Sequence, residues 1–222
     1  MYNLHCLKVT NGIFQNYTYI IVDKLTRFAA CVDPAWDLSY ISDKLLELNA
    51  ELKLVLLTHS HHDHTNLVSS IIEKYNPQVY MNVLEIKDYG YKCQNLIGFR
   101  DNEIIKLGNT AIQTIWTPGH TSGSSCFLLN YDILTGDTLF TEGVGVCIPE
   151  LGGCPDSFFN SIQHIKNILS ENINIYPGHS FGEKPGHSFK SLFGKNIYLH
   201  INDKEHFKNF RMRVNQEVSL GI

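Results

Sequence analysis

The sequence predicts an α/β fold made of two strand-rich halves, and three observations lead to this prediction. Short apolar runs that end in turn residues recur along the chain, and two longer segments carry an apolar stripe at helical spacing. Hydrophobic residues make up 43% of the 222 positions, which is enough to bury a substantial core. Because no low-complexity stretch or block of charge marks a linker, we expect one domain over residues 1–222.

The first half of the chain predicts four strands and one helix. The strands are expected near residues 3–10, 17–23, 28–33 and 52–58. The helix is expected between the third and fourth strands, because four apolar residues there recur at helical spacing. These residues are Leu38, Ile41, Leu45 and Leu48.

The second half repeats this pattern and adds a further helix. Strands are expected near residues 111–116, 124–129, 131–135 and 173–176. A helix beginning around Pro155 is expected to turn one apolar face inward, formed by Phe158, Ile162, Ile165 and Leu169. A last amphipathic helix is expected over residues 203–218, with Phe207, Phe210, Val214 and Val218 on its apolar side.

A histidine-rich motif follows the fourth predicted strand, where residues 58–64 read T-H-S-H-H-D-H. A strand alternates its side chains across two faces, so His59, His61 and Asp63 leave it with a common bias. A turn of the chain then brings His64 alongside. Imidazole nitrogens and carboxylate oxygens without thiolates suit a reactive zinc, iron or manganese site better than a closed structural zinc. The motif therefore predicts a metal site at a strand end.

Three further ligand-type residues, His120, Asp137 and His179, lie in glycine-containing turns after apolar runs. Their motifs read T-P-G-H-T, T-G-D-T and Y-P-G-H, and glycine lets the backbone turn sharply at each position. Any one of them alone would be an ordinary turn or structural histidine, and they gain weight from the cluster at 58–64. The other histidines are assigned no ligand role: His5, His62, His164, His187, His200 and His206.

In their order and gaps, these motifs resemble those of the metallo-β-lactamase fold superfamily. The resemblance implies an αββα sandwich that holds two divalent metal ions, zinc first, with iron or manganese as alternatives. It assigns one ion to the residues matching His59, His61 and His120, and the other to those matching Asp63, His64 and His179, with Asp137 as the bridge. Asp63 and Asp137 are the candidate catalytic residues, because their charge partly neutralises the ions and can orient a hydroxide.

Within the superfamily, T-G-D-T-L-F at 135–140 resembles glyoxalase II-like thioester hydrolases. Residues 11–21 and 32–35 resemble the first hairpin region of the same group. Residues 143–156 and 178–213 resemble the zinc-dependent hydrolases of trans-acyltransferase polyketide clusters. The chain departs from glyoxalase II where G-C-G-R is replaced by G-V-G-V at 143–146, and it has a shorter helical C-terminal region.

This resemblance implies a thioesterase that cleaves acyl chains carried on an acyl carrier protein or a small thiol, in polyketide biosynthesis. Hydroxyacylglutathione hydrolase, which is glyoxalase II itself, is the alternative. An iron-dependent persulfide dioxygenase and a non-catalytic protein that retains the metals are two further alternatives. Oxygen dependence would separate the dioxygenase, and intact metals without turnover would mark the binding protein.

Charge and composition exclude several other classes. The net charge is −4, and the 18 basic residues form no strong basic run, which argues against binding a nucleic-acid backbone. No leader-like segment and no bilayer-length apolar stretch is visible, so we expect a cytoplasmic protein without a membrane partner. Lys190, Lys195, Arg211 and Arg213 are candidates to meet an anionic phosphopantetheine arm or an acidic carrier protein.

The six cysteines form no C-x-x-C pair, which suits a reducing compartment. Cys147 and Cys154 follow the Asp137 turn and are expected near a pocket mouth. No activating pattern surrounds them, so both are left outside the predicted site.

Overall fold

The computed structural model describes residues 1–12 and 14–213. The chain divides into two compact units, Met1–Thr114 and Ile115–Ile222. The prediction of one domain over residues 1–222 concerns how these units behave together and stays a prediction. None of the described helices is long and apolar enough to cross a bilayer, and the cytoplasmic location stays a prediction too.

The first sheet has six strands in sequence order. They are β1 (Tyr2–Asn11), β2 (Phe14–Asp23), β3 (Phe28–Val32), β4 (Glu51–Leu56), β5 (Gln78–Asn82) and β6 (Leu96–Phe99). The first three strands pair antiparallel and the rest pair parallel. The helices in this part of the chain are α1 (Leu38–Glu47), α2 (His62–Thr65), α3 (Val68–Tyr75) and α4 (Val83–Tyr89).

The second sheet has the order β12-β11-β10-β9-β8-β7. Its strands are β7 (Ile104–Leu107), β8 (Thr110–Trp116), β9 (Ser125–Leu128), β10 (Asp132–Gly136), β11 (Asn174–Pro177) and β12 (His187–Ser188). The helices that follow β10 are α5 (Pro155–Ile168), α6 (Phe189–Leu192) and α7 (Lys204–Arg211), with short 3-10 turns at Pro149–Leu151 and Ile197–His200. In this sheet β10 and β11 pair parallel, whereas β9 with β10, β11 with β12 and β7 with β8 pair antiparallel.

The predicted α/β class is confirmed, and all eight predicted strands are present with small shifts at their ends. Ile41 and Leu45 of α1 are buried in the core of the first unit, and Phe158 and Ile162 of α5 are buried in the core of the second. Local capping explains where these helices begin. The Asp37 carboxylate accepts a hydrogen bond from the Tyr40 amide at the start of α1. Pro155 occupies the first turn of α5, where a missing N–H costs nothing.

The predicted helix over residues 203–218 was wrong in its length. The observed α7 begins after Asp203, whose carboxylate accepts from the His206 amide, but it ends at Arg211. The Arg213 guanidinium donates to the Phe210 carbonyl, an acceptor that a longer helix would need for its own backbone. Phe207 is buried as predicted. Val214 and Val218 lie outside the described residues.

Candidate metal centre

The first unit holds four predicted ligands on the loop after β4 and in the short helix α2. The rings of His59 and His61 meet edge to face at 81°, with His59 Nε2 3.1 Å from His61 Nδ1. His64 Nε2 lies 3.5 Å from Asp63 Oδ2. The side chains of His59 and His64 are almost fully buried, whereas the Asp63 side chain keeps 21% of its surface exposed. Ring nitrogens and a carboxylate therefore converge within this loop.

The second unit holds the other three predicted ligands, each at the end of a different strand. His120 follows β8, Asp137 follows β10 and His179 follows β11. The parallel strands β10 and β11 end side by side. Asp137 Oδ2 lies 3.6 Å from His120 Nε2 and 3.3 Å from His179 Nε2. One carboxylate oxygen thus lies within 3.6 Å of two imidazole nitrogens, an arrangement that suits the predicted bridging role of Asp137.

The spacing of these donor atoms fits a transition-metal site. Two donors bound to one tetrahedral zinc at ~2.0–2.1 Å lie about 3.3–3.4 Å apart. The separations in the first unit are 3.1 and 3.5 Å, and those in the second are 3.3 and 3.6 Å. Across the described residues, the His, Cys, Asp and Glu side chains in groups suited to a metal ion are the seven predicted ligands and no others. Which ion each residue holds stays a prediction.

A buried carboxylate, Asp33, orients two histidines of the first unit. Its Oδ2 accepts from His64 Nδ1 at 2.9 Å and from the Thr58 hydroxyl at 2.6 Å, and its Oδ1 accepts from the Thr58 amide at 2.8 Å. Since the Thr58 hydroxyl donates to Asp33, it accepts from His59 Nδ1, which lies 3.0 Å away. Both histidines therefore carry their proton on Nδ1 and present Nε2 as the donor to a metal.

A second buried residue, Asn16 of β2, orients the carboxylate ligand of the same loop. The Asn16 amide nitrogen donates to the Asp63 carbonyl at 2.9 Å and to Asp63 Oδ2 at 3.0 Å. The Asn16 amide oxygen accepts from Trp36 Nε1 at 2.8 Å, which fixes the direction of the amide. Asp63 is thus held through both its backbone and its side chain.

In the second unit, a backbone carbonyl orients the histidine. His120 Nδ1 donates to the Val146 carbonyl at 2.7 Å, so its Nε2 points toward Asp137. The Val146 segment is placed by the Gly145 amide, which donates to the Asp137 carbonyl at 3.0 Å. A Cβ on Gly145 would come within 2.1 Å of that carbonyl oxygen. The glycine is therefore required by close backbone approach.

Sequence reasoning missed Asp33 and Asn16 as supporting residues. Both lie in the segments 11–21 and 32–35, whose resemblance is to a hairpin region in general. A signal for Asp33 was present, because a carboxylate directly follows the buried strand β3 and precedes Pro34. Its backbone also adopts φ +48°, a conformation that aspartate tolerates better than most residues. The partners of Asp33 and Asn16 in the loop at 58–64 lie 25 or more positions away in the sequence, and no local pattern predicts a pairing over that distance.

The residues left outside the predicted site remain outside the donor groups of the described chain. His187 is partly exposed and lies 3.3 Å from Glu183 Oε2. Burial raises the pKa of the Cys147 thiol to about 12, against the opposing effect of the Arg211 guanidinium. A protonated thiol is a poor nucleophile and a poor metal ligand. These observations agree with a site built from histidine and aspartate.

The basic residues predicted to meet an anionic partner are mostly engaged within the chain. Lys190 pairs with Glu171 at 2.7 Å, and Lys195 pairs with Glu183. Arg211, one of the predicted candidates, lies in the interior and is not available to a partner. Its guanidinium is buried and donates to the Val144 carbonyl and to the Tyr198 hydroxyl. Arg211 follows the buried Phe207 by four positions, so the two residues lie on the same face of α7. Arg213 is exposed.

Comparison with known proteins identifies the family. Residues 11–179 match the metallo-beta-lactamase superfamily, and the chain belongs to that superfamily. It is 49% identical over 216 residues to the probable polyketide biosynthesis zinc-dependent hydrolase PksB of Bacillus subtilis strain 168, covering 97% of this chain and 96% of that protein. It is 45% identical to the probable polyketide biosynthesis zinc-dependent hydrolase BaeB of Bacillus velezensis, with the same two coverages.

A solved structure shows the same fold. The chain superposes on ETHE1 from Myxococcus xanthus with a TM-score of 0.84 at 25% identity, covering 95% of this chain and 91% of that one. The predicted resemblance to the superfamily and to polyketide-cluster hydrolases is confirmed. The predicted metallo-β-lactamase fold class is confirmed as well.

Proposed function

We propose that this protein is a zinc-dependent thioester hydrolase that cleaves acyl thioesters in polyketide biosynthesis. The observation that carries the proposal is the spacing of the donor atoms, with ring nitrogens and carboxylate oxygens 3.1–3.6 Å apart within each unit. We propose further that the seven ligands together hold two ions, because seven donors exceed what one tetrahedral ion takes. The polyketide setting is supported by the names of the relatives PksB and BaeB.

The donor set defines the chemistry that the protein residues support. Divalent ions bound here would supply a Lewis acid for the carbonyl and a water with its pKa lowered toward neutrality. Asp63 and Asp137 place negative charge beside the histidines, and their carboxylate oxygens can accept a hydrogen bond from an attacking water. The Nδ1 partners of His59, His64 and His120 keep the rings from turning during the reaction.

Thioesters suit such a site better than amides do. A leaving thiol has a pKa near ~8.5, so it departs as the thiolate with little help from a general acid. An amine leaving group would need a proton delivered at the moment of cleavage. The predicted ligands supply carboxylates and neutral imidazoles. These groups suffice for a thiolate leaving group, but they do not deliver the proton that an amine leaving group needs.

An aromatic wall in the second unit supports an apolar acyl group. The rings of Phe140 and Phe181 lie 4.9 Å apart, and each meets the His179 ring edge-on at about 6 Å, 6.0 and 6.1 Å respectively. The Thr141 hydroxyl holds the Phe181 backbone, and Asn196 donates to the Phe140 carbonyl at 3.0 Å. Phe140 is buried, so the partly exposed ring of Phe181 is the one that offers apolar surface beside a predicted ligand. Such a surface favours acyl chains over small hydroxyacyl groups.

Turnover of matched thioesters tests the proposal. The same acyl group would be offered on an acyl carrier protein, on coenzyme A and on glutathione, without oxygen and with the bound metal measured. We expect the highest kcat/KM on the phosphopantetheine-linked substrates, and we expect it to rise with acyl chain length. We expect two metal ions per chain at saturation. Saturation at one ion would contradict the dinuclear centre.

Other outcomes would point to the alternatives. A clear preference for S-lactoylglutathione would make this protein a hydroxyacylglutathione hydrolase. Turnover that requires oxygen would indicate a persulfide dioxygenase. Full metal loading with no turnover on any thioester would leave a metal-bearing binding protein.

A further inference from the structure

A buried glutamate, Glu85, contacts Ser60, the residue between two predicted ligands. Ser60 lies between His59 and His61 in the loop at 58–64. Its backbone amide donates to Glu85 Oε1 at 2.8 Å, and its hydroxyl donates to the same oxygen at 2.7 Å. One carboxylate oxygen therefore fixes both the backbone and the side chain of this bridge.

Glu85 reaches the loop from a separately anchored element. It lies in the first turn of α4, which begins directly after β5. The Asn82 side chain caps this helix by accepting from the Leu84 amide at 2.9 Å. Beyond the end of β4, the Leu57 amide donates to the Tyr80 carbonyl of β5 at 2.9 Å. The loop and its support are thus tied to neighbouring parallel strands.

The burial of Glu85 needs an explanation. Its side chain has no solvent exposure, and burying a carboxylate is unfavourable unless hydrogen bonds replace the lost water. The two hydrogen bonds from Ser60 provide part of that replacement. Position in the first turn of a helix, where the backbone amides point outward, also favours a negative charge. An apolar residue would fill the same space at less cost if packing were the only role.

We propose that Glu85 is a positioning residue for the metal centre, acting through Ser60 to set the directions of His59 and His61. This inference rests on the proposed metal centre and is independent of the substrate. With Ser60 fixed, His59 Nε2 and His61 Nδ1 are held 3.1 Å apart. Without that constraint, the backbone at Ser60 can rotate and the ring nitrogens of His59 and His61 can separate.

Metal affinity and a spectroscopic signature test this role. Zinc affinity would be measured by competition with a chelator, and the absorption bands of the cobalt(II)-loaded protein would report ligand geometry. We expect Glu85→Ala to weaken zinc binding by about 10- to 100-fold, the range found when partners of metal ligands are removed, and to shift the cobalt bands. Glu85→Gln keeps an acceptor oxygen and should restore most of the affinity.

Two further variants keep the test decisive. Asn82→Ala removes the cap of the same helix and serves as the control for helix stability, with an expected loss in Tm but unchanged cobalt bands. Ser60→Ala removes one of the two hydrogen bonds and provides a milder version if Glu85→Ala does not fold. Unchanged affinity in both Glu85→Ala and Ser60→Ala would overturn the proposal, as would an equal loss in Asn82→Ala. Absence of thioester turnover in the parent protein would affect only the proposed function.

Discussion

The two units support their predicted metal ligands by different means. In the first unit, side-chain carboxylates orient the loop at 58–64, with Asp33 holding His64 and Glu85 holding Ser60. In the second unit, a backbone carbonyl of Val146 orients His120. The first unit also carries its predicted ligands on one continuous segment, whereas the second has one predicted ligand at each of three strand ends.

This difference shows how each half can be altered. A ligand oriented by side chains is sensitive to single substitutions at positions distant in the sequence, because each supporting hydrogen bond depends on one particular side chain. A ligand oriented by backbone depends on the path of the chain, so among the supporting residues only substitutions that move the backbone disturb it. The two halves should therefore fail in different ways, and the following four substitutions sharpen that contrast.

The largest effect is expected in the second unit at Asp137, whose Oδ2 lies between His120 and His179. Asp137→Ala should lower kcat/KM by about 10²- to 10³-fold or more, since a catalytic metal contributes several kcal/mol and 1.36 kcal/mol is tenfold. His179→Ala should be no more damaging, because it removes one ligand without removing a bridge. Rates would be compared at equal metal content, and near-normal turnover in Asp137→Ala would show that its role was misassigned.

The next effect is expected in the first unit at Asp33. Asp33→Asn replaces an acceptor with a donor facing His64 Nδ1 or Thr58, so zinc affinity should fall by about 10- to 100-fold. Asp37→Asn is the matched control, because the carboxylate of this aspartate caps α1 by accepting from the Tyr40 amide. Chelator competition would measure both variants. Equal affinities for the two would mean that Asp33 does not orient the histidines.

The contrast also explains how much the sequence could predict. His59, His61, Asp63 and His64 were predictable because spacing along one segment places them together. His120, Asp137 and His179 were predictable only through the repeated strand-turn pattern and the family resemblance. The supporting residues escaped, because the pairing of Asp33 with His64 or of Glu85 with Ser60 is set by strand order. The two-residue strand β12 also escaped, since periodicity needs a longer segment.

A smaller effect is expected at Gly145, which tests whether the second unit depends on its backbone path. The added Cβ of Gly145→Ala would overlap the Asp137 carbonyl, so the segment must shift, at a cost of about 1–3 kcal/mol in the free energy of unfolding. Zinc affinity should fall with it, because the Val146 carbonyl moves. Gly194→Ala is the control, since its new Cβ would make only an ordinary contact of 3.6 Å with the Ser191 carbonyl. Similar melting and affinity for both variants would argue against backbone control.

The smallest effect on the metal centre is expected at Asp23, another fully buried carboxylate of the first unit. Burial raises its pKa, but hydrogen bonds from Thr26, Thr110 and the Leu25 amide outweigh this and lower the pKa of Asp23 to about 2. The unfolded chain, with a pKa near ~3.9, therefore takes up the proton first as the pH falls. The charged Asp23 carboxylate therefore stabilises the fold fully at a pH above the unfolded-state pKa, and this stabilisation is lost as the pH falls through about 2.

Asp23→Asn would reveal this contribution without changing zinc affinity at neutral pH. The free energy of unfolding would be measured for parent and variant between pH 5 and pH 2. The parent's advantage should shrink over this interval by about 2 kcal/mol, since each pKa unit corresponds to ~1.36 kcal/mol. Thr110→Val removes one of the donors to Asp23 and should reduce the pH-dependent part without abolishing it. An advantage that stays constant with pH would show that the hydrogen bonds do not favour the charged carboxylate. The buried carboxylate of Asp23 would then contribute less to the stability of the first unit than the contrast between the two units implies.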